Sequence, residues 1–363
     1  MAKTTGTAAR LLLPDGTEMP LLRRGRANIR EQLWLLRRAH ALGVQAVVTE
    51  CMAIHPALQW TAEKEIMQST LGVITNVRTD HTEVMGKTLK EIALSLANSI
   101  PRQGTLVLGE TTFAPLFREA AERLQTRVVE VPSVAQDWPS PTPSSLAPGC
   151  PASSSLPKWM IQCTAIVLEV AKQLGLSEQM ALMGIRAALP DPGAAHCGMF
   201  SLGGRSIRFL DATAANDPES LHQLLEDYRA NNDSPLQILF HTPLGRNHYS
   251  PDDSSTESSL ATSREWLLVY NHRVDRPERL RSFLHSDVFH EIAAGLVVTG
   301  DCPCWTLWRE VKQAKFRSRP CYLPMNRLLR HIEQLSSFPA GVLFCGNTRG
   351  LNLRTLSRSG SRG

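Results

Sequence analysis

At 363 residues, with 42% hydrophobic residues and 20% charged, the chain is long enough for two domains of ~150 residues each. It has no run of about 18 apolar residues and no apolar stretch near Met1, so neither a transmembrane helix nor a signal peptide is expected, and a cytoplasmic protein is. The formal net charge is only +5 and aromatic residues make up 6%, with none interleaved among the basic runs, which argues against a nucleic-acid binder.

Arginines cluster at LLRRGRANIR (21–30) and in the tail at 354–363, a pattern suited to an anionic ligand or simply to a solvated face. The eight cysteines include no C-x-x-C pair, so reduced thiols are expected rather than zinc ligands or a disulfide framework.

Taken in chain order, ARLLL, Pro14-Asp15-Gly16 and EMPLL read as strand, turn and strand. Residues 28–43 place Ile29, Leu33, Leu36 and Ala39 at helical spacing, and Gly43 ends the run. VQAVVTE (44–50) then reads as a strand and ALQWTAEKEIMQST as a helix. LGVITNV follows as a strand, and TLKEIALSLANSI as an amphipathic helix stopped by Pro101. GTLVLGE, APLFREAAERLQ and RVVEV continue the alternation. This is the mark of a mainly parallel sheet covered on both faces.

Pro and Ser dominate 132–157, which predicts an irregular insertion, and 247–263 predicts a second. Two helices separated by Gly175 come next, and PDPG (190–193) is a rigid turn suited to a domain boundary. Beyond it, SIRFLDA, LQILFHT, EWLLVYN, GLVVTG and AGVLFCG read as strands. The expected organisation is a central domain over 1–189 and a smaller Rossmann-like α/β domain over 190–363.

Open α/β sheets bind ligands beyond the carboxyl ends of their strands, and the polar residues collect there. The strand ending at residue 48 leads into Thr49-Glu50-Cys51, and the one ending at residue 77 is followed by Asp80 and His81. The later endings are DATAANDPES (211–220), NHRVDR (271–276) and GNTRG (346–350). A shared cleft between the two domains is the expectation. Glu50 and His81, on adjacent strands, are the chosen pair, because a carboxylate and an imidazole can hold a divalent cation that carries phosphate oxygens. Taken singly, Glu50 reads more readily as a salt-bridged loop residue and His81 as a helix N-cap neighbour.

Two phosphate-loop decoys fail. GKT at 86–88 would need glycine at position 81, where His81 stands, and an imidazole blocks the close backbone approach that glycine permits. AKTTGT (2–7) runs into the Pro14-Asp15-Gly16 turn instead of a helix.

These residues carry a resemblance. KTTGTAAR (3–10), ANIREQ (27–32), TECMAIHP (49–56), GVITNVRTDHTEVMGKTLKEIA (72–93), PDPGA, AANDPES, NHRVDR and GNTRG occur in that order. In this the chain resembles the ligase subunit of bacterial poly-gamma-glutamate synthase, the CapB or PgsB type, within the Mur ligase superfamily. The resemblance implies a Mur-ligase-like α/β fold, with an incomplete, mainly parallel ATPase sheet and a smaller Rossmann-like C-terminal domain.

It also implies an ATP- and Mg²⁺-dependent amide ligase of capsule synthesis, acting on glutamate or a polyglutamate chain beside membrane-bound capsule synthase subunits, with homo-oligomers possible. By the same resemblance, Glu50 and His81 are metal ligands and, with Arg273, catalytic. Lys3, Thr4, Thr5, Asn76, Asp80, Asp211, Asn216, Asp217, Asp275 and Arg276 become nucleotide- or substrate-binding. Such enzymes carry a glycine-rich phosphate loop ahead of the KTTGT segment, and no G-x-x-x-x-G-K-[ST] occurs in these residues. A truncated form, inactive alone, is therefore expected. The alternatives are a non-catalytic scaffold for an acidic polymer or membrane partner, or another Mur-type ligase.

Overall fold

The structure is a computed structural model. It describes residues 1–4, 9–23, 27–132, 158–188, 196–213, 215, 217–230, 266–314, 316, 318–335 and 341–347. The chain separates into two compact units: Met1–Leu146 with Leu156–Ala187, and Ala188–Gly363. The segment PDPG, the LQILFHT strand, both Pro/Ser-rich insertions (save Pro132) and the basic tail lie outside the described residues.

The first unit opens with three short strands, β1 (Ala2–Lys3), β2 (Arg10–Leu12) and β3 (Glu18–Pro20). The turn at Pro14-Asp15-Gly16 closes with a bond from Gly16 N–H to Leu13 O, and Gly16 sits at φ +83°. Helix α1 (Arg30–Ala41) buries Leu35 and Ala39 and leads to β4 (Val48–Thr49), which runs parallel to β1. The resulting sheet has the order β3-β2-β1-β4. Helix α2 (Pro56–Thr61) continues into a π-helical turn, Ala62–Met67.

A second, all-parallel sheet of this unit follows, with the order β5 (Leu71–Ile74), β6 (Thr105–Leu108), β7 (Arg127–Glu130). Helices α3 (Leu89–Leu96) and α4 (Ala114–Arg123) follow β5 and β6 as right-handed crossovers demand, and Ile92, Phe117 and Ala121 pack with Ile74, Leu106 and Leu108. Helix α5 (Lys158–Gln173) contributes Ala165 and Ile166 to a separate cluster with Val107. Helix α6 (Glu178–Ala187) packs on α5.

Sequence reading expected a carboxylate and an imidazole on adjacent strands. The strands that precede Glu50 and His81 are β4 and β5, and they are outer strands of different sheets. Among the described residues no strand bridges the two edges. β4 is only two residues long and spends its pairing on β1, while β5 pairs with β6 alone.

Among the described residues the second unit holds one six-stranded sheet, with the order β12 (Cys321–Tyr322), β11 (Ala293–Gly300), β10 (Trp266–His272), β13 (Gly341–Cys345), β9 (Arg205–Asp211), β8 (His196–Leu202). All pairings are parallel except β8–β9, a hairpin that sequence reading missed. Its two-residue turn is Gly203-Gly204, both at positive φ, as a tight hairpin turn requires. Helices α7 (Pro218–Ala230), α8 (Pro277–Leu284), α9 (Asp287–Ile292) and α10 (Trp305–Gln313) cover one face through Leu221, Leu280, Phe283, Phe289, Leu307 and Val311. Helix α11 (Met325–Glu333) covers the other through Leu328 and Ile332, packed on Val269, Val342 and Phe344. The central strands β10 and β13 read as continuous apolar runs because both their faces are buried.

Candidate active site

In the first unit, the carboxyl ends of β1 and β4 lie side by side, with Lys3 opposite Thr49 and Glu50 N–H bonded to Lys3 O at 3.1 Å. The Lys3 side chain is fully buried, and its Nζ lies 3.4 Å from Glu31 Oε2. Glu31 also accepts bonds from Arg23, through Nε at 2.8 Å and Nη2 at 3.0 Å. Burial holds the Lys3 ammonium below its usual range, and the Glu31 carboxylate opposes that. Burial would raise Glu31, but the Arg23 and Asn28 hydrogen bonds outweigh it and leave this carboxyl below its usual range. A buried ammonium is tolerable only beside such an anion. Sequence reading quoted Glu31 within ANIREQ yet gave it no role.

Thr4 is exposed, and its Oγ1 accepts from Arg10 N–H at 3.0 Å, which closes the β1–β2 hairpin. Thr5 lies outside the described residues. Glu50 is exposed, directly after β4.

The segment after β5 turns sharply. Asp80 Oδ1 accepts from His81 N–H at 2.9 Å, and His81 takes φ +51°, an uncommon conformation for a residue with a side chain. Its ring nitrogens face two carboxylates, with Nε2 3.6 Å from Asp80 Oδ2 and Nδ1 3.6 Å from Glu83 Oε1. Asn76 is exposed just upstream.

What fixes this loop is Glu110, at the end of β6 and only 9% exposed. Its Oε2 accepts from Val77 N–H at 2.8 Å, and its Oε1 from Thr112 N–H at 2.6 Å and Phe113 N–H at 3.3 Å. One carboxylate thereby satisfies three backbone donors from two neighbouring strand ends. The rule that polar residues gather at strand ends already covered GTLVLGE, so Glu110 was within reach of sequence reasoning.

In the second unit, Asp211 is buried at the end of β9 and accepts from Thr213 N–H at 3.0 Å and Thr213 Oγ1 at 2.6 Å. Asp217 precedes α7 and accepts from Ser220 N–H at 2.8 Å and Ser220 Oγ at 2.6 Å, so helix capping accounts for much of its chemistry. Asn216 lies outside the described residues.

Arg273 is paired within its own turn: its Nε and Nη2 donate to Asp275 Oδ1 at 2.8 Å and Oδ2 at 2.6 Å. The Arg273 hydrogen bonds hold the Asp275 carboxyl below its usual range. Arg276, half-buried, begins α8.

Asn271, His272 and Asn347 lie in the strand endings NHRVDR and GNTRG, but no role of their own was expected for them, and Thr299 was not singled out. Asn271 Nδ2 donates to Asn347 O across the ends of β10 and β13. His272 and Thr299 are 2% and 0% exposed, yet His272 Nδ1 and Thr299 Oγ1 have no hydrogen-bond partner. Burial pulls the His272 imidazole below its ordinary value, favouring the neutral ring.

An α/β protein that carries charged and amide side chains at its strand carboxyl ends is, as a class, a ligand-binding fold of the open-sheet type. The comparisons make this particular. Residues 199–355 match the family model described as Poly-gamma-glutamate synthase CapB C-terminal domain. The chain is 32% identical over 246 residues to the capsule biosynthesis protein CapB of Bacillus anthracis, covering 66% of this chain and 50% of that protein. It is 28% identical over 305 residues to the PGA synthase CapB of Bacillus subtilis (strain 168), covering 83% of this chain and 67% of that protein.

Among solved structures, a bifunctional folylpolyglutamate synthase/dihydrofolate synthase of Yersinia pestis, complexed with AMPPNP and Mn ion, superposes with a TM-score of 0.51 at 14% identity. That likeness covers 87% of this chain and 66% of the other, and it establishes the fold as Mur-ligase-like. Over most of its length the chain is thus similar in sequence to CapB proteins. It spans one half of the first of these curated relatives and 67% of the second. No helix among the described residues is long and apolar enough to cross a membrane.

Proposed function

We propose that the chain is the ligase component of a poly-gamma-glutamate synthase, joining a carboxylate to the amine of glutamate at the expense of ATP. The observation that carries this reading is the CapB-type sequence over both units, coinciding with polar residues at the carboxyl ends of their parallel strands. In the reaction, a substrate carboxylate oxygen takes the γ-phosphoryl group of ATP, giving an acyl phosphate and ADP. The glutamate amine then attacks the acyl carbon, loses a proton and expels phosphate. Almost all of the catalytic demand is for positioning and for charge on the phosphoryl oxygens.

Glu50 and His81 are two donors, the number that a magnesium ion shared with substrate phosphates takes from a protein. Mg²⁺ in phosphoryl-transfer sites keeps waters and takes one or two protein ligands plus substrate oxygens. Glu50 and His81 would supply those ligands, and the ion would neutralise charge on the phosphates. Asp80 and Glu83 each lie 3.6 Å from a His81 ring nitrogen, so one of them would take the ring N–H while the other nitrogen turned to the ion. Lys3, Thr4, Thr5 and Asn76 are assigned to the substrate by this reading, and Asp80 contributes there through His81. In the second unit Asp211, Asn216 and Asp217 are assigned to the nucleotide by this reading, and Arg276, with the Arg273–Asp275 pair, to anionic groups. Membrane-bound synthase subunits remain the partners this role calls for.

The test is an ATP-consumption assay with Mg²⁺, L-glutamate and a polyglutamate primer, following ADP and new amide bonds together. Coupled release that needs all components supports the ligase. ATP turnover indifferent to glutamate and primer contradicts it.

A further inference from the structure

The turn that bears Arg273 and Arg276 joins β10 to α8, and its shape is imposed from the neighbouring strand. β11 ends at Gly300, in register with His272, and the next residue, Asp301, carries the pairing one step beyond both strands. Asp301 N–H donates to His272 O at 3.0 Å, and Asp301 Oδ2 accepts from Val274 N–H at 3.0 Å. Within the turn, Arg276 N–H donates to Arg273 O at 3.1 Å, and Arg273 is forked onto Asp275.

Only glycine fits before Asp301. Gly300 has φ +81°, and a Cβ there would lie 2.3 Å from Asn271 Oδ1 and 2.5 Å from His272 O. The same strand ends hold the two buried, unpartnered polar atoms, His272 Nδ1 and Thr299 Oγ1. Native interiors rarely leave such atoms unsatisfied, and each calls for a physical reason, a bound group among them.

We infer that Asp301 is a positioning residue, whose carboxylate pins Val274 and so holds the 273–276 turn in the form that receives an anionic substrate group. This deepens the proposed function and rests on its assignment of Arg276 to anion binding. Asp301 lies outside the NHRVDR segment, is exposed, and is not itself asked to touch the substrate. Its side chain acts as a hydrogen-bond acceptor, so its geometry matters more than its charge. Asparagine at the same place can present an oxygen to Val274 N–H, and alanine cannot.

The experiment compares the full chain with D301A and D301N. Calorimetry measures binding of Mg-ATP and, separately, of L-glutamate, and hydrogen exchange follows the Val274 amide. Expected are a loss of about tenfold or more in D301A affinity for one of the two anions, faster Val274 exchange, and a melting temperature close to the parent's. D301N stays within about threefold of the parent. D301A binding both anions as the parent does overturns the inference and leaves the ligase reading standing, as does D301N falling to the level of D301A. A parent chain that binds neither anion contradicts the ligase reading and this inference with it.

Discussion

Single carboxylates do most of the organising in this molecule. Glu110 satisfies three backbone donors that no strand partner reaches, so Glu110→Ala should lower the stability of the first unit by about 1–3 kcal/mol, read by urea denaturation. Unaltered denaturation would mean that the loop before His81 is held by something else. Glu31→Ala strands the buried Lys3 ammonium and should cost about 3 kcal/mol. His272 carries a pH signature. Its folded-state imidazole binds a proton less readily than the free side chain, whose ordinary value is 6.5, because burial penalises the charge. The unfolded chain then takes up more protons below that value, so stability is complete above it and falls as pH drops toward the depressed folded value. His272→Asn should flatten this part of the acid limb, and an unchanged limb would remove His272 from the account. Of these residues only the exposed, motif-bearing ones were legible in sequence. Glu50, His81 and the 273–276 turn stood out because charged residues after apolar runs are conspicuous. Glu31 and His272 lie within ANIREQ and NHRVDR, but Glu31 acts through Lys3 and Arg23, Asp301 through Val274, and His272 through its burial at a sheet end, and no local pattern announces any of these.

At the level of elements, sequence periodicity located the helices and most strands of the first unit and the strands β9, β10, β11 and β13 of the second, with the ends drifting, but it did not locate helices α7 to α11 or the strands β1, β8 and β12. The helix expected over 28–43 is Arg30–Ala41, and VQAVVTE keeps only Val48–Thr49 as strand. The latter shortens because β4 has one neighbour, and strand length is set by pairing rather than by apolar composition. The β8–β9 hairpin was missed because its Gly-Gly turn was not used as a signal. Helix α3 opens with a reciprocal cap: Glu91 N–H donates to Thr88 Oγ1 at 3.2 Å, and Thr88 N–H to Glu91 Oε2 at 2.9 Å. Thr88→Ala should destabilise the first unit by about 1 kcal/mol, measured by thermal unfolding. β5 presents an outer edge on which Val73 is 43% exposed, and an exposed apolar edge invites pairing with other chains. Val73→Lys should reduce concentration-dependent light scattering with little change in stability, whereas undiminished scattering would place the association elsewhere.

For the molecule as a whole, two units of different construction each gather their polar side chains at strand carboxyl ends, and the ligase reading asks both to serve one reaction. Alternation of strands and helices made the α/β class legible, and the ordered CapB-type segments made the likeness to CapB proteins legible. The division of the first unit into two sheets was not, since pairing between distant strands leaves no trace in local periodicity. The claim on which the rest depends is that Glu50 and His81 bring a divalent cation to the nucleotide phosphates. Its most direct measurement is ATP binding by calorimetry, with and without Mg²⁺, for the parent chain, Glu50→Ala and His81→Ala. The account predicts a magnesium-dependent gain in affinity for the parent that both substitutions abolish; the same gain in all three proteins would contradict it.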